Sequence, residues 1–332
     1  MKDKIVVSVC VPTFGHGELL TSCLESVIRQ KTNFKFELLL GFEFDDMNSE
    51  ENIPVNIENP NLEIKIIRNK KESLVYIKGV RTGRGNTLNL LKKTKGEYIA
   101  ICDGDDYWTD PLKLQKQVDL LENNAHLVAC HHWQRIAVME NDNYIEIPAP
   151  KSGHGYCADP VATVKHIFSN QMRVKSRTIL FRNVIDDKFF PKWFKKVAYG
   201  DVPLTFLLGK YGEFGFIDEE MAVYRQTYKG ASTAGRSELG YDKFRKRMLK
   251  NWVEVWDYGN RHYDYKYRKE CSSTVRKFYK EMIRLRPYNF LSICSLIYFT
   301  LVKRPLAPFR TIKDTMHIVK LSFHRGTTND PN

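Results

Sequence analysis

Gly96-Glu97-Tyr98-Ile99-Ala100-Ile101-Cys102-Asp103-Gly104-Asp105-Asp106 is the stretch that decides the fold. Tyr98–Cys102 is a dense apolar run, as a buried parallel strand requires. It breaks into three carboxylates around one glycine. In open α/β sheets, ligands bind beyond the carboxyl ends of the strands. Asp103, Asp105 and Asp106 therefore stand where a ligand is expected. Three carboxylates this close repel one another unless a cation sits among them. Hard oxygen donors with open positions suit Mg2+ or Mn2+, ions that commonly bridge to a substrate phosphate. An Asp-rich turn that merely caps the next helix would read the same in isolation, so the flanking chain has to decide.

Outward from this turn, strand-like and helix-like runs alternate. Ile5–Val11 and Phe36–Phe42 are dense apolar strands. Between them Leu19, Leu20, Cys23, Leu24, Val27 and Ile28 recur at helical spacing. Glu63–Ile67 reads as a strand and Asn86–Lys93 as a helix. Thr109-Asp110-Pro111 offers a helix N-cap with proline at the first helical position, followed by the stripe Leu114, Val118, Leu121. His126–His131 reads as a further strand. This β-α-β-α order predicts a doubly wound sheet with helices on both faces. Beyond Pro148 the pattern loosens. Arg177–Arg182 is expected as a strand, Val202–Lys210 as a helix, and Phe214–Ile217 and Met221–Arg225 as short strands.

Composition narrows the class. With 332 residues, 42% hydrophobic and 12% aromatic, the chain can bury a real core, which excludes disorder throughout. No run of about 18 apolar residues exists, so a conventional membrane span is not expected. The start resembles a signal peptide only superficially. Pro12-Thr13-Phe14-Gly15-His16-Gly17 follows the apolar run without a cleavage site, so a first strand and a retained N-terminus are expected. Seven cysteines with no CxxC spacing argue against a disulfide framework or structural zinc, and fit a reducing cytoplasm. The net charge of +13 is uneven: residues 241–332 hold 20 Lys+Arg against 8 Asp+Glu, while the first 240 residues are nearly balanced. A near-neutral body thus carries a basic C-terminal segment, which suits an anionic surface at one end.

The run Gly96–Gln117 closely resembles family 2 glycosyltransferases of the GT-A fold, bacterial enzymes of capsule and surface-polysaccharide assembly. Val9-Cys10-Val11-Pro12-Thr13-Phe14 is similar to their first strand and nucleotide-binding turn. Gly200-Asp201-Val202-Pro203-Leu204 and Asp218–Arg225 resemble their acceptor-site and closing motifs. The likeness spans about residues 5 to 232, with four motifs in order. It implies a Rossmann-like GT-A domain over 1–240, with a nucleotide-sugar half to about 135 and an acceptor half to 240. A basic helical region over 241–332 follows it.

By the same resemblance, Asp103 and Asp105 are the metal-binding pair for Mn2+ or Mg2+, with Asp105 the direct ligand. Asp106 lies behind them or caps the next helix. Pro12, Thr13 and Phe14 wall the nucleotide base of a donor, expected to be a UDP-linked sugar. Arg84 and Asn86 fall in a stretch that often touches the nucleotide. Asp201 is the catalytic base, taking the proton of a hydroxyl on a glycan or lipid-linked acceptor. One displacement at the anomeric carbon would invert its configuration.

The chain also departs from the family pattern. The second acidic motif reads Gly41-Phe42-Glu43-Phe44-Asp45-Asp46, so Glu43, Asp45 and Asp46 compete for the base- or ribose-binding role. The histidine that many relatives carry after the closing Tyr-Arg is missing from Tyr224-Arg225-Gln226-Thr227-Tyr228-Lys229. That leaves Arg225 and Lys229 as diphosphate contacts. His131 and His132 are expected to be packed or acceptor-side rather than metal-bound.

Asn289–Val302 is a mostly apolar run flanked by basic residues, too short for a span at about 1.5 Å per residue. Phe309, Ile312, Met316, Val319 and Phe323 then recur at helical spacing beside Arg310, Lys313 and Lys320. A helix lying in the headgroup plane on the inner face of the cytoplasmic membrane has this pattern. The alternative is that these helices pack on the catalytic domain or on a second copy of the chain.

Two other function classes match parts of the sequence. A nucleic-acid-binding protein would use the basic and aromatic stretch Tyr258–Arg268, but no recognised motif accompanies it, so no nucleic-acid partner is expected. A sugar nucleotidyltransferase shares the nucleotide half, but would not need Gly200–Leu204 or Tyr224-Arg225.

Overall fold

The computed structural model describes residues 4–46, 50–54, 58–141, 143–151, 158–227, 239–285 and 294. The chain divides into two compact units, Met1–Ala231 and Ser232–Asn332. In chain order, the first unit contains strand β1 (Ile5–Thr13), helix α1 (Leu19–Ile28), β2 (Lys35–Phe42), β3 (Leu62–Arg68) and the short strands β4 (Val75–Ile77) and β5 (Val80–Thr82). Helix α2 (Arg84–Leu91), β6 (Tyr98–Ile101), β7 (Tyr107–Trp108), α3 (Lys113–Glu122), β8 (Leu127–Glu140) and β9 (Asn143–Pro148) follow. Then come β10 (Val161–Ala162), α4 (Val164–Phe168), β11 (Leu180–Arg182), α5 (Asp201–Leu208) and β12 (Glu213–Arg225).

The main sheet runs β10-β12-β8-β11-β6-β1-β2-β3. The half from β6 to β3 is parallel, as the alternating pattern predicts. The other half departs from a doubly wound sheet. Strand β11 wedges between β6 and β8, antiparallel to both. This short strand lies about 80 residues downstream of its partner β6, a pairing no local pattern reveals. The two short strands expected at 214–217 and 221–225 are one strand, β12, with register shifts along its parallel pairing to β8. Bulges of this kind break the period-2 signal.

Helix α1 buries Leu20, Cys23, Leu24 and Val27, most of the stripe read from sequence, against β1 and β2. Each such aliphatic side chain contributes roughly 1.5–3 kcal/mol on burial. Helix α3 buries Leu114, Val118 and Leu121 but starts at Lys113, two residues after the expected proline position. Asp110 still acts at this end: its carboxylate accepts the Leu112 N–H at 2.7 Å and pairs with Lys116.

In the second unit, α6 (Tyr241–His262) and α7 (Arg268–Arg284) form a helical hairpin. Its seam joins Phe244, Leu249, Trp252, Val255 and Trp256 to Cys271, Val275, Phe278 and Met282, all buried. Trp256 packs edge-on against Phe278 with ring centroids 5.4 Å apart. The basic residues of the expected helix thus flank a packed seam. In the Tyr258–Arg268 stretch, Arg261 pairs with Asp257 and Tyr263 packs on Tyr267. Among the described residues no helix is long and apolar enough to cross a membrane. Apart from Cys294, Asn289–Val302 and the expected helix over 309–323 lie outside the described residues.

Candidate active site

The carboxyl ends of β1, β2 and β6 lie side by side, so the turns after them converge. The Asp103–Asp106 turn is fixed by its own backbone: the Asp106 N–H donates to the Asp103 carbonyl at 2.9 Å, and the Gly104 N–H to the Pro12 carbonyl at 3.1 Å. Glycine is required at 104, because a Cβ there would meet His16 Nδ1 at 2.5 Å. Each carboxylate in the turn has a different environment. Asp103 accepts the Ser176 hydroxyl at 2.6 Å. Asp106 is buried, accepting the Arg225 N–H at 3.0 Å and the Arg177 guanidinium. Arg177 also bonds Gln134 and stacks on Tyr224, 4.3 Å from its ring centre. Among the described residues, no other residue's hydrogen bond or ion pair engages the half-buried Asp105 carboxylate. Burial first, and then the charge of Asp103, pushes its pKa up to about 6 against the pull of Arg177 and Arg225.

This donor set fits a divalent cation. It offers carboxylate oxygens only, one of them unpartnered, with charge repulsion that a cation would relieve. Asp105 and Asp103 are the residues that would hold it. Among the described residues no cluster of three or more acidic, histidine or cysteine side chains is placed to grip a metal alone. The remaining ligands would come from phosphate and water, as is common for Mg2+.

The acidic residues after β2 take three separate places. Asp46 accepts the Gly15 N–H at 3.1 Å, tying the β2 turn to the β1 turn. Asp45 is exposed and receives a two-pronged contact from Arg81, at 2.7 and 2.6 Å. Glu43 is buried, 3.4 Å from the same guanidinium, and burial raises its pKa despite Arg81. Arg81 comes from the β4–β5 hairpin and lies over the Phe14 ring at 4.3 Å. Phe14 is 47% exposed, so this ring is open for stacking apart from the arginine. Thr13 is buried, and its carbonyl accepts Asn86 Nδ2 at 3.1 Å.

Two donor-site expectations meet a different placement. Asn86 is buried, bridging the Thr13 and Gly41 carbonyls and accepting from Asn69. It straps the ends of β1 and β2 together. Arg84 is buried too, and its guanidinium donates to the carbonyls of Phe194, Val197 and Tyr199 and stacks on Phe194. Its five donors fork across a loop of carbonyls, which lysine's single ammonium would not do. Tyr199 takes the left-handed conformation at φ 63°, uncommon for a bulky residue. The Arg84 contact holds it there, two residues before Asp201.

Asp201 begins α5, where a carboxylate suits the helix dipole. Its Oδ1 accepts the Val202 N–H at 2.9 Å. Its charge favours the cationic forms of Arg84 from α2 and of Lys175 from the loop before β11. The Arg225 guanidinium, expected on the diphosphate, instead donates to the carbonyls of Leu19 and Asp105, both at 3.1 Å, and to Ser22. It locks the acidic turn to the start of α1. Lys229 lies outside the described residues. His131 and His132 are both buried on β8, and burial lowers His131 to about 4. Arg81, Lys175, Ser176 and Arg177 were not singled out from sequence. Their partners lie 36 to 73 residues away wherever a hydrogen bond is made, and no local motif marks them.

Residues 8–182, more than half of the chain, match the family model described as Glycosyl transferase family 2. Uncharacterised proteins of Mycobacterium tuberculosis and Mycobacterium bovis are 25% identical over 228 residues, 68% of this chain. The chain spans 60% of the length of these relatives. The UDP-Glc:alpha-D-GlcNAc-diphosphoundecaprenol beta-1,3-glucosyltransferase WfgD of Escherichia coli is 29% identical over 122 residues, 37% of this chain and 43% of WfgD. Among solved structures, residues 1–349 of S. aureus TarS in complex with UDP-GlcNAc superpose with a TM-score of 0.53 at 15% identity. That match covers 98% of this chain and 93% of TarS 1–349.

Proposed function

Because the chain belongs to glycosyl transferase family 2, with a GT-A fold, we propose that it moves a sugar from a nucleotide-diphosphate donor to an acceptor hydroxyl in a metal-dependent, inverting reaction. The observation that carries this reading is the unpartnered Asp105 carboxylate beside Asp103, at the carboxyl ends of the parallel strands. The donor is UDP-linked and the acceptor a glycan or lipid-linked glycan of surface-polysaccharide synthesis. The reactions named for WfgD, and UDP-GlcNAc in TarS, support that choice. Residues 1–135 form the nucleotide-sugar half, 136–240 the acceptor half, and 241–332 a basic helical region.

Each placed residue then has a task. Phe14 and Thr13 border the base, and Glu43 and Asp45, steered by Arg81, meet the polar edge of base or ribose. Asp105 and Asp103 would hold a divalent cation, which would supply charge compensation for the departing diphosphate. Arg177 and Arg225 hold the acidic turn in place. Asn86 and Arg84 support the site from beneath rather than touching the donor. Asp201 takes the acceptor proton as the acceptor oxygen attacks the anomeric carbon. With one attacking oxygen and one leaving oxygen on opposite faces, the product configuration is inverted. Incubation with UDP-GlcNAc or UDP-Glc and Mn2+ tests this reading: UDP is released and the freed sugar is first seen by NMR as the β anomer. Release of the α anomer would contradict the inverting step, and no UDP release from any sugar nucleotide would contradict the activity.

The basic segment beyond residue 241 is assigned to the inner membrane surface, where a lipid-linked acceptor would be found. Its support is charge: 20 Lys+Arg against 8 Asp+Glu, where each basic residue lying close to an anionic leaflet is worth about 1 kcal/mol. Liposome flotation checks it, comparing the full chain with one ending near Arg286. The full chain is expected to float with anionic vesicles at low salt. Its staying in solution would place these helices on the protein instead.

A further inference from the structure

The β8–β9 ribbon leaves one aliphatic face open beside the candidate site. In its register Ile136 stands opposite Ile147, and Val138 opposite Ile145. Directly opposed residues point to the same side of a sheet, so these four side chains form one block. Ile145 and Ile147 are 44% and 41% exposed, and Ile136 and Val138 are half-buried. The other side of the ribbon is occupied. There Glu146 accepts the Tyr107 hydroxyl and pairs with Arg135, and the Arg225 guanidinium lies 5.8 Å from the Tyr144 ring centre. Single exposed aliphatic residues are ordinary, but a contiguous block marks a contact surface. The block also continues from the acidic turn. Gln134 lies two residues before Ile136, and Tyr224 of β12 stands opposite Ile136, so both share its face. Arg177 bonds Gln134, stacks on Tyr224 and holds Asp106. At about 3.3 Å per residue, Ile136 follows Gln134 by roughly 7 Å and Val138 by roughly 13 Å. An apolar track thus runs outward from the arginine that fixes the acidic turn.

Area and charge decide what this track suits. A stable subunit interface buries about 800 Å² per partner. Four aliphatic side chains, the most open of them 44% exposed, offer far less. An anionic bilayer surface would need basic residues here. From Gln134 and Ile147 to the ribbon's end, neither strand places one on this face, and its outer pair is Glu140 and Asn143. A single uncharged hydrocarbon chain matches both the small area and the missing charge. On the reading of the acceptor as lipid-linked, we infer that this face holds the acceptor's hydrocarbon chain where it leaves the phosphate. The chain's polar end lies toward Arg177 and its free end toward the ribbon tip. The face binds and orients the acceptor and takes no part in bond making.

Calorimetry with two probes tests this on the full chain, with UDP and Mn2+ present to fill the donor site. The probes are methyl diphosphate and farnesyl diphosphate, the second kept below its micelle concentration. They share the diphosphate and differ in the chain. Wild-type affinity is expected to be on the order of 100-fold higher for the farnesyl probe, as burial of several methylene groups gives. The double variant Ile145→Thr with Ile147→Thr keeps the β-branched shape that a strand favours. It is expected to lose about 10-fold of the farnesyl affinity, the contribution of two aliphatic contacts, while its affinities for methyl diphosphate and UDP stay unchanged. Equal wild-type affinity for the two probes overturns the proposal, and so does no binding of the farnesyl probe. These wild-type outcomes hold even if the double variant melts early. Unchanged farnesyl affinity in a folded double variant also overturns it. A wild-type dimer that the double variant splits, seen by light scattering, would assign the face to a second copy of the chain. Loss of vesicle flotation by the double variant, with farnesyl affinity kept, would assign it to the bilayer. A wild-type protein that binds no UDP or sugar nucleotide defeats the glycosyltransferase reading itself, a result distinct from all of these.

Discussion

Asp201→Asn slows sugar transfer by about 100- to 10,000-fold, the usual cost of losing a general base, and leaves donor affinity intact. The substitution preserves shape. The asparagine oxygen still accepts the Val202 N–H that Asp201 Oδ1 accepts at 2.9 Å. The favourable charge at the start of α5 is lost, which costs about 0.3–1 kcal/mol of stability. That loss is small beside the barrier increase of roughly 3–5 kcal/mol implied by the rate. A comparison of kcat with donor Kd therefore separates the roles. If the variant instead binds donor poorly but turns over normally at saturation, Asp201 belongs to the donor site or to the helix.

Asp105→Ala abolishes metal-dependent turnover while the fold survives. The Asp105 carboxylate makes no bond that the fold would lose, and it is pushed up to about 6 by burial and by Asp103. Its removal relieves repulsion, so the thermal midpoint without metal holds or rises. Asp106 provides the internal contrast. It is buried and bonded to Arg177 and to the Arg225 N–H. Breaking such a buried pair costs about 3–5 kcal/mol, so Asp106→Ala is expected to melt far below wild type. Both variants lose activity, but the melting curve assigns one loss to chemistry and the other to structure. Equal destabilisation by the two would remove Asp105 from the metal role.

Much of the candidate site was legible in the sequence because it lies at strand ends. The apolar run Tyr98–Cys102 and the carboxylates after it are contiguous, and a buried parallel strand leaves little choice about where its end points. The strands β1, β2 and β3 were legible from the same alternation. What stayed hidden depended on distant contacts. Arg84 falls in a stretch whose resemblance implies a nucleotide contact, yet burial turns it toward carbonyls more than 100 residues away. Arg225 sits in a motif that suggests phosphate, but its guanidinium closes on α1 and the Asp105 carbonyl. Strand β11 carries Leu180-Phe181-Arg182, three residues whose antiparallel insertion no periodicity announces. The different surroundings of Glu43, Asp45 and Asp46 likewise depend on a distant residue, Arg81, 36 positions from Asp45.

A donor site built around Asp103 and Asp105 should not close without a cation, because the diphosphate of the donor and these carboxylates carry the same sign of charge. Calorimetric titration of UDP into the full-length chain, with Mn2+ and then with excess chelator, measures this directly. Saturable binding in Mn2+ that disappears in chelator and in the Asp105→Ala variant is the expected result. Binding of equal strength in chelator, or an Asp105→Ala protein that binds UDP and Mn2+ as the wild type does, would contradict a metal-dependent donor site at this turn.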